Sequence, residues 1–332
     1  MIRKGFTLIE LLAVITILAL ITAIAVPLVT STINNSNEKI VLESAKELIK
    51  AAATDVVDKG YSVPYQYKVE DNSLDYQAGD FTKGLIVVTN GNHSFVENLS
   101  TPKYCINGPL DDLNITEGVC TNTDYNTYKS IQDIQNQMKT EANLLFDDFR
   151  GDFYLKGNIN NNYVSYSGRT WRIVSFQDGM VKLVSQSTDT EAGSKNYQEA
   201  LNYLNGTFYN NLTSKDYVSE VSYGTGNVTD ITASSDPNNV LAAEETNHHE
   251  YKVGLLSAGE FLRANDGSSN FLANGTTWLL TTKNASSGYY LTNRTISSAV
   301  LTTSKTVRPV IMLKDYIVFT GTGTSSDPYV VK

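Results

Sequence analysis

Glu10 constrains this chain more than any other residue. It stands in an otherwise uncharged, apolar run from Phe6 to Val26. At 1.5 Å rise per residue such a run makes a helix of about 32 Å, close to the hydrocarbon thickness of a bilayer. A carboxylate at that depth costs roughly 2.5–3.5 kcal/mol on insertion scales, so a chain that keeps one has a use for it. A basic leader, Met1-Ile2-Arg3-Lys4, precedes the run and ends in Gly5. A secretory signal places its charges first, then a short apolar core, then a small-residue cleavage site. Here the best processing site, Gly5, comes before the apolar core, so cleavage would leave that core on the mature chain.

The Gly5-Phe6 junction, Glu10 and the hydrophobic tail together resemble the prepilin signature of type IV pilins and pseudopilins. The resemblance covers only the N-terminal helix and its leader. It implies that residues 1–5 are a leader, that a prepilin peptidase cuts between Gly5 and Phe6, and that the new Phe6 amine is methylated. Methylation keeps the amine positive, and loss of Arg3 and Lys4 would make a chain already at net charge −9 more acidic. The Phe6 terminus and Glu10 then form the assembly pair, within one helix or between neighbours. In a low-dielectric bundle an unpaired carboxylate is costly, and a paired one sets register. Implied partners are other pilin subunits, the prepilin peptidase and the membrane. The implied location is the cell membrane, as a single pass, and then an extracellular pilus. An ordinary signal peptide and a simple membrane anchor are the competing readings of the same segment.

Pro27 follows the span. Proline lacks a helix donor and clashes with the preceding turn, and in pilins a proline near this point marks a bend or local melting. Thr30-Ser31-Thr32-Ile33-Asn34-Asn35-Ser36-Asn37 is rich in poor helix formers, so a kink at Pro27 or a stretched section is expected. From Glu38 an amphipathic stripe resumes at Ile40, Val41, Ala45, Leu48, Ile49, Ala52, Val56 and Val57, and Lys59-Gly60 gives a stop. The expectation is one long interrupted helix over 6–59, membrane-spanning over 6–27, its second half lying on a globular head.

Residues 60–130 read as that head. Tyr65, Tyr67 and Val69 alternate, and Leu85-Ile86-Val87-Val88 is a buried-strand candidate. The chain has two cysteines, Cys105 and Cys120. In an exported protein they read as one disulfide, closing a loop worth roughly 3 kcal/mol in the chain-entropy model; the competing reading is two unrelated thiols. Pilins often carry a disulfide-bounded loop near the chain end, whereas this one is central.

Residues 131–332 read as an added, strand-rich module. Ile131, Ile134, Met138, Leu145 and Phe149 suggest an amphipathic helix with Ser130 as N-cap and Gly151 as its end. Ser167-Gly168 and Asp178-Gly179 are hairpin signals, Tyr197 to Leu212 reads as a helix, and Ser257-Ala258-Gly259-Glu260 has capping-box spacing. Trp171-Arg172-Ile173-Val174, Gly254 to Phe261, Trp278 to Thr282 and Val307 to Ile311 are similar to a domain of unknown function in many Firmicutes surface proteins. That domain distantly resembles the C-type-lectin-like fold of formylglycine-generating enzymes.

Such enzymes depend on cysteines within the fold, and this chain has no cysteine after Cys120, so that activity is not expected. His248-His249-Glu250 invites a metal reading, but adjacent residues point apart and no matching ligand set is evident. Asp111-Asp112 and Asn265-Asp266-Gly267 offer oxygen ligands without the fuller EF-hand spacing. No phosphate loop or triad is evident, and sequons such as Asn205-Gly206-Thr207 read as compositional. No metal and no cofactor is expected. The acidic balance argues against a nucleic-acid partner. The 20 tyrosines suit binding of a host or surface ligand, while Trp171 and Trp278 sit in apolar runs and read as core.

The expected fold is α+β: a long N-terminal helix on an antiparallel β head, with a strand-rich C-terminal module. The implied function is structural, a minor or tip pilin that polymerises through its helix and displays the module for adhesion. The alternatives are a pseudopilin of a secretion or DNA-uptake system and a tethered binding domain that never polymerises.

Overall fold

The computed structural model describes residues 8–76, 79–90, 93–122, 124–140, 144–147, 151–232, 234–292 and 294–332. The fold is α+β. The chain divides into two compact units, the first running to Tyr125 and the second comprising Asn126–Lys332.

In the first unit a single helix, Leu8–Lys59, carries one side of a five-stranded sheet. The strands Tyr65–Lys68, Lys83–Val88, Phe95–Ser100, Tyr104–Pro109 and Asn114–Glu117 follow one another as an antiparallel meander. Lys83–Val88 holds the continuous apolar run and is buried from Gly84 onward, as a strand covered on both faces requires. Ala45, Leu48, Ile49, Ala52 and Val56 of the helix pack with Tyr67, Ile86, Val96, Leu99 and Ile106 of the sheet. Ile40 and Val57, expected on the same stripe, are instead 64% and 78% exposed. They fall at the two margins of the buried arc, so the face that meets the sheet is narrower than the apolar pattern. The helix ends at Lys59 with the Gly60 N–H donating to Val57 O and the Tyr61 N–H to Val56 O, the paired bonds that close a helix with a left-handed glycine. Asp55 fastens this end, taking a 2.9 Å ion pair from Lys59 and a hydrogen bond from the Tyr67 hydroxyl.

No section of non-helical backbone follows Pro27 before the helix ends at Lys59. The helix passes through Pro27 and the Thr30–Asn37 stretch without interruption. The hydroxyls there turn inward to the helix's own carbonyls: Thr30 to Val26, Thr32 to Leu28 and Ser36 to Thr32. These bonds satisfy the hydroxyls inside the helix, although such back-bonding to the i−4 carbonyl slightly weakens a helix and favours bending.

The second unit is built on a ten-stranded sheet. Its main order is Val253–Gly254, Val310–Leu313, Met180–Ser185, Arg169–Gln177, Tyr163–Tyr166, Tyr329–Val331, Val318–Thr320 and Lys129–Ser130. The hairpin Leu144–Asp147 and Asp152–Leu155 joins alongside Arg169–Gln177. Tyr329–Val331 pairs in parallel with Tyr163–Tyr166. The two expected hairpins are present: Ser167-Gly168 and Asp178-Gly179 each have positive φ at both turn positions, the conformation that a tight two-residue hairpin needs. A three-stranded sheet, Trp278–Asn284, Ser287–Thr292 and Thr295–Val300, completes the unit with the helices Pro237–Glu244 and Ala258–Arg263.

The amphipathic pattern after Ser130 is shorter than expected. The helix is Ile131–Thr140, and Leu145 lies in the strand Leu144–Asp147; Phe149 falls outside the described residues. Apolar spacing alone could not separate a long helix from a short helix followed by a hairpin. Ser130 does cap the helix, its hydroxyl accepting from the Asp133 N–H while Asp133 accepts from the Ser130 N–H. Trp171 and Trp278 are fully buried.

Candidate functional site: the N-terminal helix

The first half of the long helix has no partner within the described residues. From Leu8 to Val29 its large apolar side chains are exposed on every side, from 47% at Val14 to 88% at Leu8. Its most apolar window has mean hydropathy 2.8 and is wholly unburied. A helix that is apolar all round and uncovered must be covered by lipid or by other helices. Thr16 and Thr22 keep this cylinder apolar by bonding their hydroxyls back to Leu12 O and Leu18 O. Glu10 lies in the first turn of the helix and is exposed. An acid there sits favourably at the positive end of the helix dipole. Gly5 and Phe6, the expected cleavage and methylation residues, lie outside the described residues.

The disulfide Cys105–Cys120 is formed, with a Cα–Cα distance of 4.9 Å. It ties the strand Tyr104–Pro109 to the segment after Asn114–Glu117 and so encloses the terminal hairpin of the first sheet. The Cys120 N–H also donates to Ser100 Oγ, and Lys83 Nζ to Cys120 O, which seat the bridge against the neighbouring strands.

Several candidates from the second unit take structural roles. His248-His249-Glu250 lies in a strand, His248–Tyr251, paired antiparallel with Val221–Gly224. No group of three or more His, Cys, Asp or Glu side chains converges among the described residues. Asp266 turns its carboxylate on the N–H and hydroxyl groups of Ser268 and Ser269. Those backbone donors hold its pKa well below the ordinary carboxylate value. In the sequon Asn205-Gly206-Thr207 the Asn205 side chain is spoken for: its amide donates to Leu201 O and Val253 O, and its oxygen accepts from the N–H groups of Lys252 and Val253.

Sequence reading missed the buried charges. Arg172 and Arg308 are each under 6% exposed and make no ion pair among the described residues. Arg308 donates to Ser185 O and Leu272 O, and Arg172 to Asn162 Oδ1 and Ile159 O. Burial, and then the neighbouring Arg172, pulls Arg308 down to about 10. Both act as pins that gather loop carbonyls onto the central strands. An arginine inside a continuous apolar run was the available signal in both fragments.

A second buried cluster joins Lys182, Glu244, Ser257, Glu260 and Thr281. Glu260 accepts from the Ser257 N–H as the reciprocal half of a capping box and holds Lys182 Nζ at 2.5 Å. Glu244 accepts from Ser257 Oγ at 2.8 Å, from the Gly259 N–H at 3.1 Å and from the Thr281 hydroxyl. Gly259 permits this approach, since a Cβ there would lie 2.6 Å from Leu241 and 2.8 Å from Glu244 Oε2. Burial raises Glu244 to about 7, against the hydrogen bonds that pull it down. Every member is buried, so the cluster locks the helix pair Pro237–Glu244 and Ala258–Arg263 and meets no substrate.

The site is thus an uncovered helix, long and apolar enough to cross a membrane, that carries a carboxylate in its first turn and leads into a sheet closed by a disulfide. Residues 1–26 match the model of the prokaryotic N-terminal methylation motif. No curated protein and no solved structure matches the chain. The motif and the apolar helix support a precursor of the type IV pilin or pseudopilin kind, structural rather than enzymatic in role.

Proposed function

We propose that the protein is a minor or tip subunit of a type IV pilus. A prepilin peptidase removes residues 1–5 and methylates Phe6. The chain waits in the membrane as a single pass over 6–27, then joins a filament whose core is a bundle of such helices. The Phe6 amine and Glu10 of adjacent subunits pair and set the axial offset. The C-terminal module is displayed for adhesion to a host or surface ligand. The methylation motif running directly into a helix with exposed apolar residues on all sides is the observation that carries this reading. The size of the C-terminal unit supports a tip or minor position, because a densely packed shaft leaves little room for it.

Mass spectrometry of sheared surface filaments tests the proposal. The expected result is a chain beginning at N-methyl-Phe6, with its disulfide intact, in the filament fraction. An intact Met1 in cells with a working pilus apparatus would overturn it and leave a tethered surface domain. Glu10→Leu is expected to insert in the membrane normally and to vanish from filaments. Normal incorporation of that variant would remove Glu10 from the assembly step.

A further inference from the structure

The second unit carries an open groove of about 760 Å³ between the helical segment starting at Tyr197 and the strand His248–Tyr251. We propose that this groove binds a neutral, hydroxyl-rich glycan; this rests on the display reading and names the ligand class for it. The lining supplies two kinds of group. Gln198 and Asn202 line it with side-chain amides, Asn247 with an amide that also donates to Thr225 Oγ1, and Glu220 with a carboxylate. Tyr251 and His249 form an adjoining pair of rings, centroids 4.4 Å apart. Amides and carboxylates meet adjacent hydroxyls with paired donors and acceptors, and a ring face covers the C–H side of a pyranose. A purely apolar ligand would strand the amides, and Glu220 and Lys252 offset each other, leaving the lining no net charge to hold an ion.

The wall of the groove is itself irregular. The helix Tyr197–Tyr203 widens into a π-helical turn at Leu204–Phe208 before closing at Tyr209–Asn211. Asn205 and Gly206 of that turn line the groove. A π-turn sacrifices helix regularity and is frequent at functional sites. Three hydrogen bonds of Asn205, one to Lys252 and two to Val253, tie this turn to the segment that follows the strand, and a fourth returns to Leu201 O within the helix. The first three join the helix and that segment side by side and fix the width between them. Gln198 donates to Asn202 Oδ1 at 3.0 Å, so the Asn202 amide N–H groups remain to meet a ligand.

The test uses the full-length chain, unassembled, in a detergent without a sugar headgroup, titrated by calorimetry with lactose, maltotriose, chitotriose and 3′-sialyllactose. Because no filament is needed, the outcome is independent of whether the chain polymerises. Saturable binding of at least one neutral sugar is expected, with sialyllactose weaker than lactose. His249→Ala and Asn202→Ala, both at exposed positions, should each weaken that binding about tenfold, the scale of one lost stacking or polar contact. Tyr251→Ala should weaken it further, and circular dichroism checks that this half-buried position still folds. No saturable binding by any neutral sugar, unchanged affinity in both exposed variants, or preference for sialyllactose would each overturn the proposal.

Discussion

Single residues in this protein do most when they are charged and out of place. Glu10 is acidic in an apolar cylinder, and Arg172, Arg308, Lys182 and Glu244 are ionisable groups in a β core. Glu244 makes a measurable case. Its folded pKa is raised to about 7, above the ordinary 4.5. Below about 4.5 both folded and unfolded chains hold the proton, so the contribution is fully present. Between about 4.5 and 7 the unfolded chain releases it first, so stability falls as pH rises, by at most about 3 kcal/mol in total. Glu244→Gln should flatten this part of the pH–stability curve of the second unit. Its Oε1 can still accept from Thr281 and Gly259, and its amide can donate to Ser257 Oγ. Denaturant melts at pH 5 and pH 8 would check this, and an unchanged slope would show that Glu244 is not the group responsible.

At the scale of elements, the long helix is two helices in chemical terms. Its second half is amphipathic, with Ile49 and Ala52 fully buried, and its stability comes from packing on the sheet. Its first half has no such support and must find it in lipid or in other subunits. Pro27 lies inside that unsupported half and deprives the Ala23 carbonyl of its donor. Amides around Ala23 to Val29 should therefore exchange hydrogen fastest within the helix in detergent micelles. Pro27→Ala should restore protection there, since proline costs about 3 kcal/mol against alanine in a helix interior. Equal exchange in both proteins would show that the missing bond is not the weak point. Extent was the least readable property of the elements: Ile131–Thr140 ends where its apolar spacing does not, because Leu145 serves a strand with the same periodic fit.

For the whole molecule, the two units differ in what holds them. The first is a small sheet on a helix, closed by the disulfide. The second is a larger sheet whose core is continuous from Ile131 to Tyr329 and which contains no cysteine. Calorimetry should resolve two transitions. Reductant should lower one of them, by an amount on the order of 3 kcal/mol for a loop of 15 residues, and leave the other in place. A shift of both would mean that the units unfold together.

The membrane-length helix, the Glu10 position, the disulfide candidates, both hairpin turns and the capping box at Ser257 were readable in advance, because each depends on a few adjacent residues and their local chemistry. Local chemistry also explains why Ser257-Ala258-Gly259-Glu260 announced a helix start. It could not announce that Glu260 would also hold Lys182, distant in sequence, or that Glu244 would be buried against it. Lys182 sits in the strand Met180–Ser185 and is buried with its neighbours. It is buried because helices cover that face of the sheet, a fact of topology and not of spacing. The groove beside the π-turn is equally a product of packing, made by segments far apart in the chain. Sequence alone determined that this protein keeps an apolar, acid-bearing helix, since bilayer thickness and the cost of a buried charge act on contiguous residues. Which charges are buried, and where a ligand can enter, was decided only when distant strands and helices closed on one another.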